Sequence, residues 1–307
     1  MAVEQFSGKV AFITGGVSGI GLGIAKTFAR AGIRLALAYR NEEHRTATAQ
    51  WFAANGFEEP LFVKLDVTDR KRFAEVAEEV EAHFGKVHIL VNNAGVSVFG
   101  PTDEASYADF DWIMGVNFGG VVNGLVSFIP KLKAHGEGGH VVNVASMAAF
   151  LAGPQAGIYT ASKFAVRGLT ECLRYNLAPY DIGVSLMCPG LTRSNAFDSA
   201  LKRPEQFSDS GFGAVKEGDV APLAQLFEAG MDPEEVGAKT LRGIAENRLF
   251  ILTHPEFQED FQEIADTLMA ALPDEEAPPA RLAVETQRRE AAKRAMERAI
   301  DLSDLVS

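Results

Sequence analysis

Short apolar runs, many of them β-branched, alternate along this chain with segments whose apolar residues recur at helical spacing. The runs predict strands over 10–14, 34–39, 61–65, 89–92, 140–145, 184–188 and 249–252. The intervening segments predict helices over 20–31, 42–54, 70–84, 110–134, 159–177 and 233–246, with Gly32 and Gly85 placed as stop signals. Strands and helices alternating at these lengths imply βαβ crossovers and a parallel sheet covered on both faces. The expected fold is a doubly wound α/β domain, in which ligands bind at the carboxyl ends of the strands.

Two regions break this rhythm. Over 191–231 no strand is evident, and Phe197, Phe207, Phe212 and Phe227 stand among Ser, Gly, Pro and charged residues. A loop of about forty residues inside a compact domain is usually functional, and this one is expected to line a substrate site. After Pro273 the stretch DEEAPPA reads as a linker, and 281–299, rich in Ala, Glu and Arg, predicts a solvated helix. The expected organisation is thus a catalytic domain over 1–272 and a tail over 273–307.

Composition narrows the classes of partner. The chain has 307 residues, 47% of them hydrophobic, so it can bury a sizeable core. With 29 Lys+Arg against 41 Asp+Glu the net charge is -12, which disfavours nucleic acid. Cys172 and Cys188 have no paired spacing and no His cluster beside them, so neither a disulfide nor a metal site is expected, and both read as small core residues. The N-terminus lacks a basic region followed by an apolar stretch, and no run is expected to reach the ~20 apolar residues of a membrane span. The expectation is a cytoplasmic protein with no membrane partner.

The stretch VAFITGGVSGIG carries the first candidate chemistry. Gly15, Gly19 and Gly21 follow a predicted strand and open a predicted helix, with Ser18 and Ile20 between them. A helix N-terminus leaves backbone N–H groups unpaired, and glycines let a diphosphate come close to them. The spacing is GxxxGxG rather than the commoner GxGxxG, so the stretch alone reads equally well as a turn or as a dinucleotide site. At the end of the second strand stand Tyr39 and Arg40, with no carboxylate to accept a ribose 2'-hydroxyl and a guanidinium able to pair with a 2'-phosphate. This favours NADP(H) over NAD(H).

Further stretches decide the matter: NNAG at 92–95, Asn117 in GVNFGG, Ser146 in NVASM and the YTASK run holding Tyr159 and Lys163. In this order, with TGGVSGIG, they resemble the short-chain dehydrogenase/reductase family over residues of about 7 to 255. The resemblance implies a catalytic set of Asn117, Ser146, Tyr159 and Lys163. Tyr159 and Lys163, four apart, share a helical face, and an ammonium beside a phenol favours the phenolate needed for acid/base work near neutrality. Ser146 would hydrogen-bond the substrate oxygen, and Asn117 would interrupt its helix and hold a water linking Lys163 to solvent. The resemblance also places Asp66 and Val67 beside an adenine, Asn92, Ala94 and Gly95 along the cofactor, and Pro189, Gly190, Thr192 and Ser194 near the nicotinamide, with Asn93 read as structural.

An oxidoreductase acting on a secondary alcohol or its ketone follows, with homodimers or homotetramers expected. The ending RLFILTHPEF and its tail depart from the common pattern of the family, where a short terminus completes a tetramer. A weaker resemblance links the chain to bacterial dehydrogenases that oxidise the benzylic alcohol of lignin-derived aryl ethers, which are NAD-linked with an Asp where Tyr39 stands. The loop phenylalanines, with Val96, Phe99 and Phe150, imply an apolar and bulky, aromatic substrate. Two other readings remain: a cofactor-binding regulatory protein without turnover, and a nucleotide-sugar epimerase or dehydratase, for which the region after Cys188 is short.

Overall fold

The computed structural model describes residues 6–213 and 215–297. Seven parallel strands form one sheet in the order β3-β2-β1-β4-β5-β6-β7. These are β1 (Val10–Ile13), β2 (Arg34–Tyr39), β3 (Leu61–Lys64), β4 (Ile89–Asn92), β5 (Gly139–Val144), β6 (Ile182–Cys188) and β7 (Phe250–Leu252). The helices α1 (Gly19–Arg30), α2 (Glu42–Ala54), α3 (Arg70–Phe84), α4 (Tyr107–Met114), α5 (Gly120–Ala134), α6 (Gly157–Leu177), α7 (Glu217–Glu228), α8 (Pro233–Ala245), α9 (Gln258–Ala270) and α10 (Pro279–Glu297) complete the chain.

The strands are nearly continuous apolar runs because both faces of the sheet are covered. In β1 the alternation sends Val10 and Phe12 into one core and Ala11 and Ile13 into the other. Phe12 stacks on Phe128 of α5 at 4.5 Å, and Phe73 of α3 meets the same ring edge-on. On the opposite face Ile24 and Phe28 of α1 pack with Phe52 of α2 and Val236 of α8. β1 pairs with both β2 and β4, so the crossover direction reverses there and a crevice opens at the carboxyl ends of the strands.

Several expectations need correction. The helix expected over 110–134 begins at Tyr107, where Ser106 and Asp109 form a capping box, while the π-helical turn at Gly115–Gly119 interrupts it at Asn117 as the resemblance implied. A local surplus of one residue per turn leaves no trace in apolar spacing. The region 191–231 has no strand, but it holds α7 and the 3-10 turns Asn195–Lys202 and Glu205–Phe207. α9 was not anticipated, and its residues are largely exposed. Cys172 lies exposed on the outer side of α6, whereas Cys188 is buried at the end of β6.

The continuous helical run Tyr107–Ala134, at 28 residues, is long and apolar enough to cross a membrane, contrary to the sequence reading. Half of its most apolar window is buried inside the fold. The tail helix is described to Glu297, so positions 298–299 of the helix expected over 281–299 lie outside the described residues. α10 is mostly exposed and rests against α6.

Candidate active site

A cavity of about 650 Å³ runs along the crevice at the carboxyl ends of the strands. The expected residues Gly15, Ser18, Gly19, Ile20, Tyr39, Arg40, Asp66, Val67, Ala94, Gly95, Ser146, Tyr159, Lys163, Pro189, Gly190, Thr192 and Ser194 all line it. Gly21, Asn92 and Asn117 do not, and each has a position in the layer behind.

The glycine loop explains the first exception. A Cβ on Gly21 would sit 2.2 Å from the carbonyl oxygen of Gly15 and 2.5 Å from Asn93 Nδ2, so Gly21 lets α1 close on the preceding turn. Asn93 holds that turn from below, donating through Nδ2 to the carbonyl of Thr14 at 2.9 Å. Gly15 and Gly19 take positive φ, and no side chain caps α1 at Ser18. The first-turn N–H groups therefore remain available over a floor without side chains, which suits a diphosphate. Asn92 is buried at the centre of the sheet, where its Nδ2 donates to Asn143 Oδ1 at 2.9 Å.

At the adenine end Asp66 Oδ1 accepts from the backbone and hydroxyl of Thr68 at 2.9 and 2.8 Å. Its other oxygen lies 3.8 Å from the Arg40 guanidinium, and both side chains are about half exposed. Tyr39 packs edge-on to Phe62, and its hydroxyl donates to Glu42; burial and that carboxylate together raise its pKa. His44, which sequence reasoning passed over, also faces this end.

At the other end Ser97, Ser146, Tyr159 and Lys163 line the cavity together. Burial raises the Tyr159 phenol above its ordinary value, against the opposing effect of the nearby Ser146 and Ser97 hydroxyls. The expected depression by Lys163 is not found in this arrangement: its Nζ, 5.5 Å from the Tyr159 ring centroid, donates to the carbonyl of Val144 at 3.3 Å. Burial brings the Lys163 ammonium down to about 8. Beneath the site burial pushes the Cys188 thiol up to about 12, although the Ser146 backbone N–H points at its sulfur.

Asn117 sits in the π-helical turn, whose unwinding aims the side chain inward. Its Oδ1 accepts from Val96 N at 2.8 Å, while its Nδ2 donates to the Val96 carbonyl at 3.0 Å and to Ser162 Oγ at 3.1 Å. A Cβ on Gly95 would lie 3.1 Å from Asn117 Oδ1 and 3.5 Å from Lys163 Nζ, so the bare glycine keeps the gap between them open.

Val96, Phe99, Leu223, Leu226, Phe227 and Phe257 give the cavity apolar lining, beside Asp198, Ser199 and Lys202. Phe99 tilts against the Tyr159 ring at 5.6 Å. Of the expected aromatic residues, Phe150 packs away from the cavity on Phe250 and Phe261, and Phe212 fills the space over Gly100. Phe207, half-buried, packs against the core, and the side chain of Phe197 lies outside the described residues.

Sequence reasoning also missed His254. Its Nδ1 accepts from Gly190 N at 3.0 Å and its Nε2 faces the carbonyl of Leu191 at 2.9 Å, fastening the Pro189–Gly190 turn to the end of β7. A Cβ on Gly190 would come within 2.9 Å of that ring. A histidine two residues after a short strand has no local signature that could have revealed this.

Residues 9–205 match the family model described as short chain dehydrogenase. The C alpha-dehydrogenase of Sphingobium sp. (strain NBRC 103272 / SYK-6) is 39% identical over 276 residues, which span 87% of this chain and 88% of that protein. Among solved structures, a short-chain dehydrogenase from Novosphingobium aromaticivorans shares 38% identity over 96% of this chain and 100% of its own, with a TM-score of 0.81. Another, from Burkholderia phymatum in complex with NAD, shares 34% identity over 89% of this chain and 99% of its own, with a TM-score of 0.80. With the glycine loop, the crevice and the Ser–Tyr–Lys cluster built as described, the chain belongs to the short-chain dehydrogenase/reductase family of NAD(P)-dependent oxidoreductases.

Proposed function

We propose that this protein interconverts a bulky apolar or aromatic secondary alcohol and its ketone, with NADP(H) preferred and Tyr159 exchanging the proton. The observation that carries the reading is the gathering of Ser146, Tyr159 and Lys163 in one cavity that apolar side chains also line. A nicotinamide cofactor, when bound, supplies or accepts the hydride. Gly15, Ser18, Gly19 and Ile20 would hold its diphosphate, Asp66 and Val67 its adenine, and Pro189, Gly190, Thr192 and Ser194 its nicotinamide end.

In the oxidising direction the Tyr159 phenolate takes the hydroxyl proton as the carbon gives up hydride. In reduction the phenol returns that proton to the developing alkoxide. Ser146 Oγ donates to the same substrate oxygen and stabilises its charge. Lys163, buried beside the tyrosine, supplies positive charge and lies where a ribose would be held. Asn117 keeps the 96–97 backbone and α6 in register, so that the phenol and the serine hydroxyls stay aligned.

The preference for NADP(H) rests on Arg40, which lies at the end of β2 with no carboxylate at Tyr39 or Arg40 to repel a 2'-phosphate. A second reading is supported by the Sphingobium relative named for C alpha-dehydrogenation and by the neighbour solved with NAD: an NAD-linked dehydrogenase of benzylic alcohols. A panel of aryl and alkyl secondary alcohols and ketones, followed at the NAD(P)H absorbance band with each cofactor, separates the two. Turnover confined to small aliphatic substrates would overturn both.

A further inference from the structure

The backbone of residues 189–191 lines the cavity together with Ser146 and Tyr159, directly after β6, and it is gripped from two sides. On one side the carbonyl of Pro189 accepts from Met147 N at 3.0 Å, which ties the turn to the residue after Ser146. On the other stands His254, a buried imidazole. Its Nδ1 accepts from Gly190 N at 3.0 Å and its Nε2 lies 2.9 Å from the Leu191 carbonyl, so a single ring spans the backbone of both residues. A Cβ on Gly190 would come 2.8 Å from Phe257 and 2.9 Å from His254, so the bare glycine lets the turn lie flat on those two rings. The imidazole is backed in its turn. The Thr253 hydroxyl lies 2.7 Å from Nδ1, and Lys239 of α8 donates through Nζ to the Thr253 carbonyl at 2.7 Å.

The partners fix which ring nitrogen bears the proton. A backbone N–H can only donate and a carbonyl can only accept, so Nδ1 must offer its lone pair to Gly190 while Nε2 carries the hydrogen toward Leu191. The opposite tautomer would set one N–H against another and a lone pair against an oxygen, and both bonds would be lost. We infer that His254, with its ring proton on Nε2, is a positioning residue for the redox step: it holds the 189–191 turn at a set height beside Ser146, on the wall where the nicotinamide end of the cofactor would rest. The inference rests on the reading of this cavity as a nicotinamide-dependent site in which Tyr159 exchanges the proton. Affinity and rate should part company at such a residue. The glycine loop after β1 and the Asp66 end after β3 owe nothing to His254, so most cofactor binding survives its loss. Rate is more exposed, because a misplacement of about 1 Å between reacting groups can cost roughly a hundredfold.

The first readout needs neither cofactor nor turnover. Nitrogen NMR of wild type with labelled histidine rings resolves the six histidines, and His254 is identified by its scalar coupling across the hydrogen bond to Gly190 N. The expected signature is a bare, hydrogen-bonded Nδ1 and a proton on Nε2. A proton on Nδ1, or no coupling from any ring to Gly190, overturns the inference whatever the kinetics. The second readout compares wild type with His254→Leu, His254→Asn and Tyr159→Phe in 1-phenylethanol oxidation and acetophenone reduction. Leu removes both bonds, whereas the Asn side-chain oxygen takes the place of Nδ1 as acceptor for Gly190. His254→Leu is expected to lower kcat roughly ten- to hundredfold, with cofactor affinity by fluorescence titration little changed and a larger primary deuterium isotope effect as hydride transfer becomes the slow step. His254→Asn should recover most of the rate. A His254→Leu enzyme with wild-type kcat, while Tyr159→Phe is inactive, overturns the role of His254 alone. Cofactor affinity falling in step with kcat, or no recovery in His254→Asn, overturns it too, as the mark of a merely structural contact. An active Tyr159→Phe enzyme overturns the underlying reading instead and leaves the tautomer result standing.

Discussion

Arg203 Nη2 lies 2.7 Å from Asp109 Oδ1, in an ion pair whose carboxylate is fully buried and whose guanidinium is 12% exposed. Asp109 belongs to α4, and Arg203 directly follows the 3-10 turn Asn195–Lys202. The same carboxylate accepts from Ser210 Oγ at 2.7 Å and from Gly211 N at 2.9 Å, and Arg203 spreads over the Trp112 ring at 4.6 Å. One aspartate thus fastens the 203–211 stretch to α4 while also capping that helix.

Removing that carboxylate leaves a largely buried guanidinium without its partner. Asp109→Ala should cost about 3 kcal/mol or more in unfolding free energy, measured by denaturant titration. Burial pushes the Asp109 carboxyl up, but the hydrogen bonds from Ser106, Ser210 and Gly211 outweigh it and hold it below the usual carboxylate range. A carboxyl with a depressed folded value contributes stability that is present above its unfolded value and lost as pH falls through the folded one. The segment should therefore stay protease-resistant well into mild acid in wild type but not in Asp109→Ala.

Tyr159→Phe removes the exchangeable proton and keeps the ring that packs on Phe99. Turnover should fall roughly a hundred- to ten-thousandfold, the range for a lost general acid/base, with cofactor affinity nearly intact by fluorescence titration. Substantial residual turnover would remove Tyr159 from the chemistry.

Arg40→Asp places a carboxylate where the guanidinium stands 3.8 Å from Asp66. The ratio of kcat/KM for NADP over NAD should fall by at least about tenfold, because a bidentate cation gives way to a like charge facing the 2'-phosphate. An unchanged ratio would mean that Arg40 serves only its pair with Asp66.

Acid should destabilise the fold through His140. This imidazole is buried against Ser185, and burial, aided by the Arg174 charge, brings its pKa from 6.5 down to about 3. The unfolded chain then binds a proton that the folded one refuses between those values, so this contribution is complete above pH 6.5 and declines as pH falls toward 3. The thermal midpoint of wild type should drop over that window. In His140→Gln the decline should be shallower, as read by calorimetry at stepped pH.

The parallel sheet, the helix boundaries around it and the glycine loop were legible in the sequence because each depends on local periodicity or on one residue's backbone freedom. β2, β4, α2 and α3 fall where apolar spacing and stop signals put them. The catalytic candidates were legible through ordered motifs, and Ser146, Tyr159 and Lys163 do meet in one cavity. Other features depend on which distant segment arrives beside a given residue. The Ser199 contact to Ser97 spans 102 positions and the His254 contact to Gly190 spans 64, separations over which no spacing rule operates. Phe150 looked like a substrate contact from its place in the chain but turns to Phe261 of α9, a helix the sequence reading did not foresee. Local propensity and motif order thus determined the fold class and the chemical family. Only the packed chain decided which side chains gather around Tyr159 and what holds the 203–211 stretch against α4, because those contacts are selected by shape and polar pairing across the whole structure.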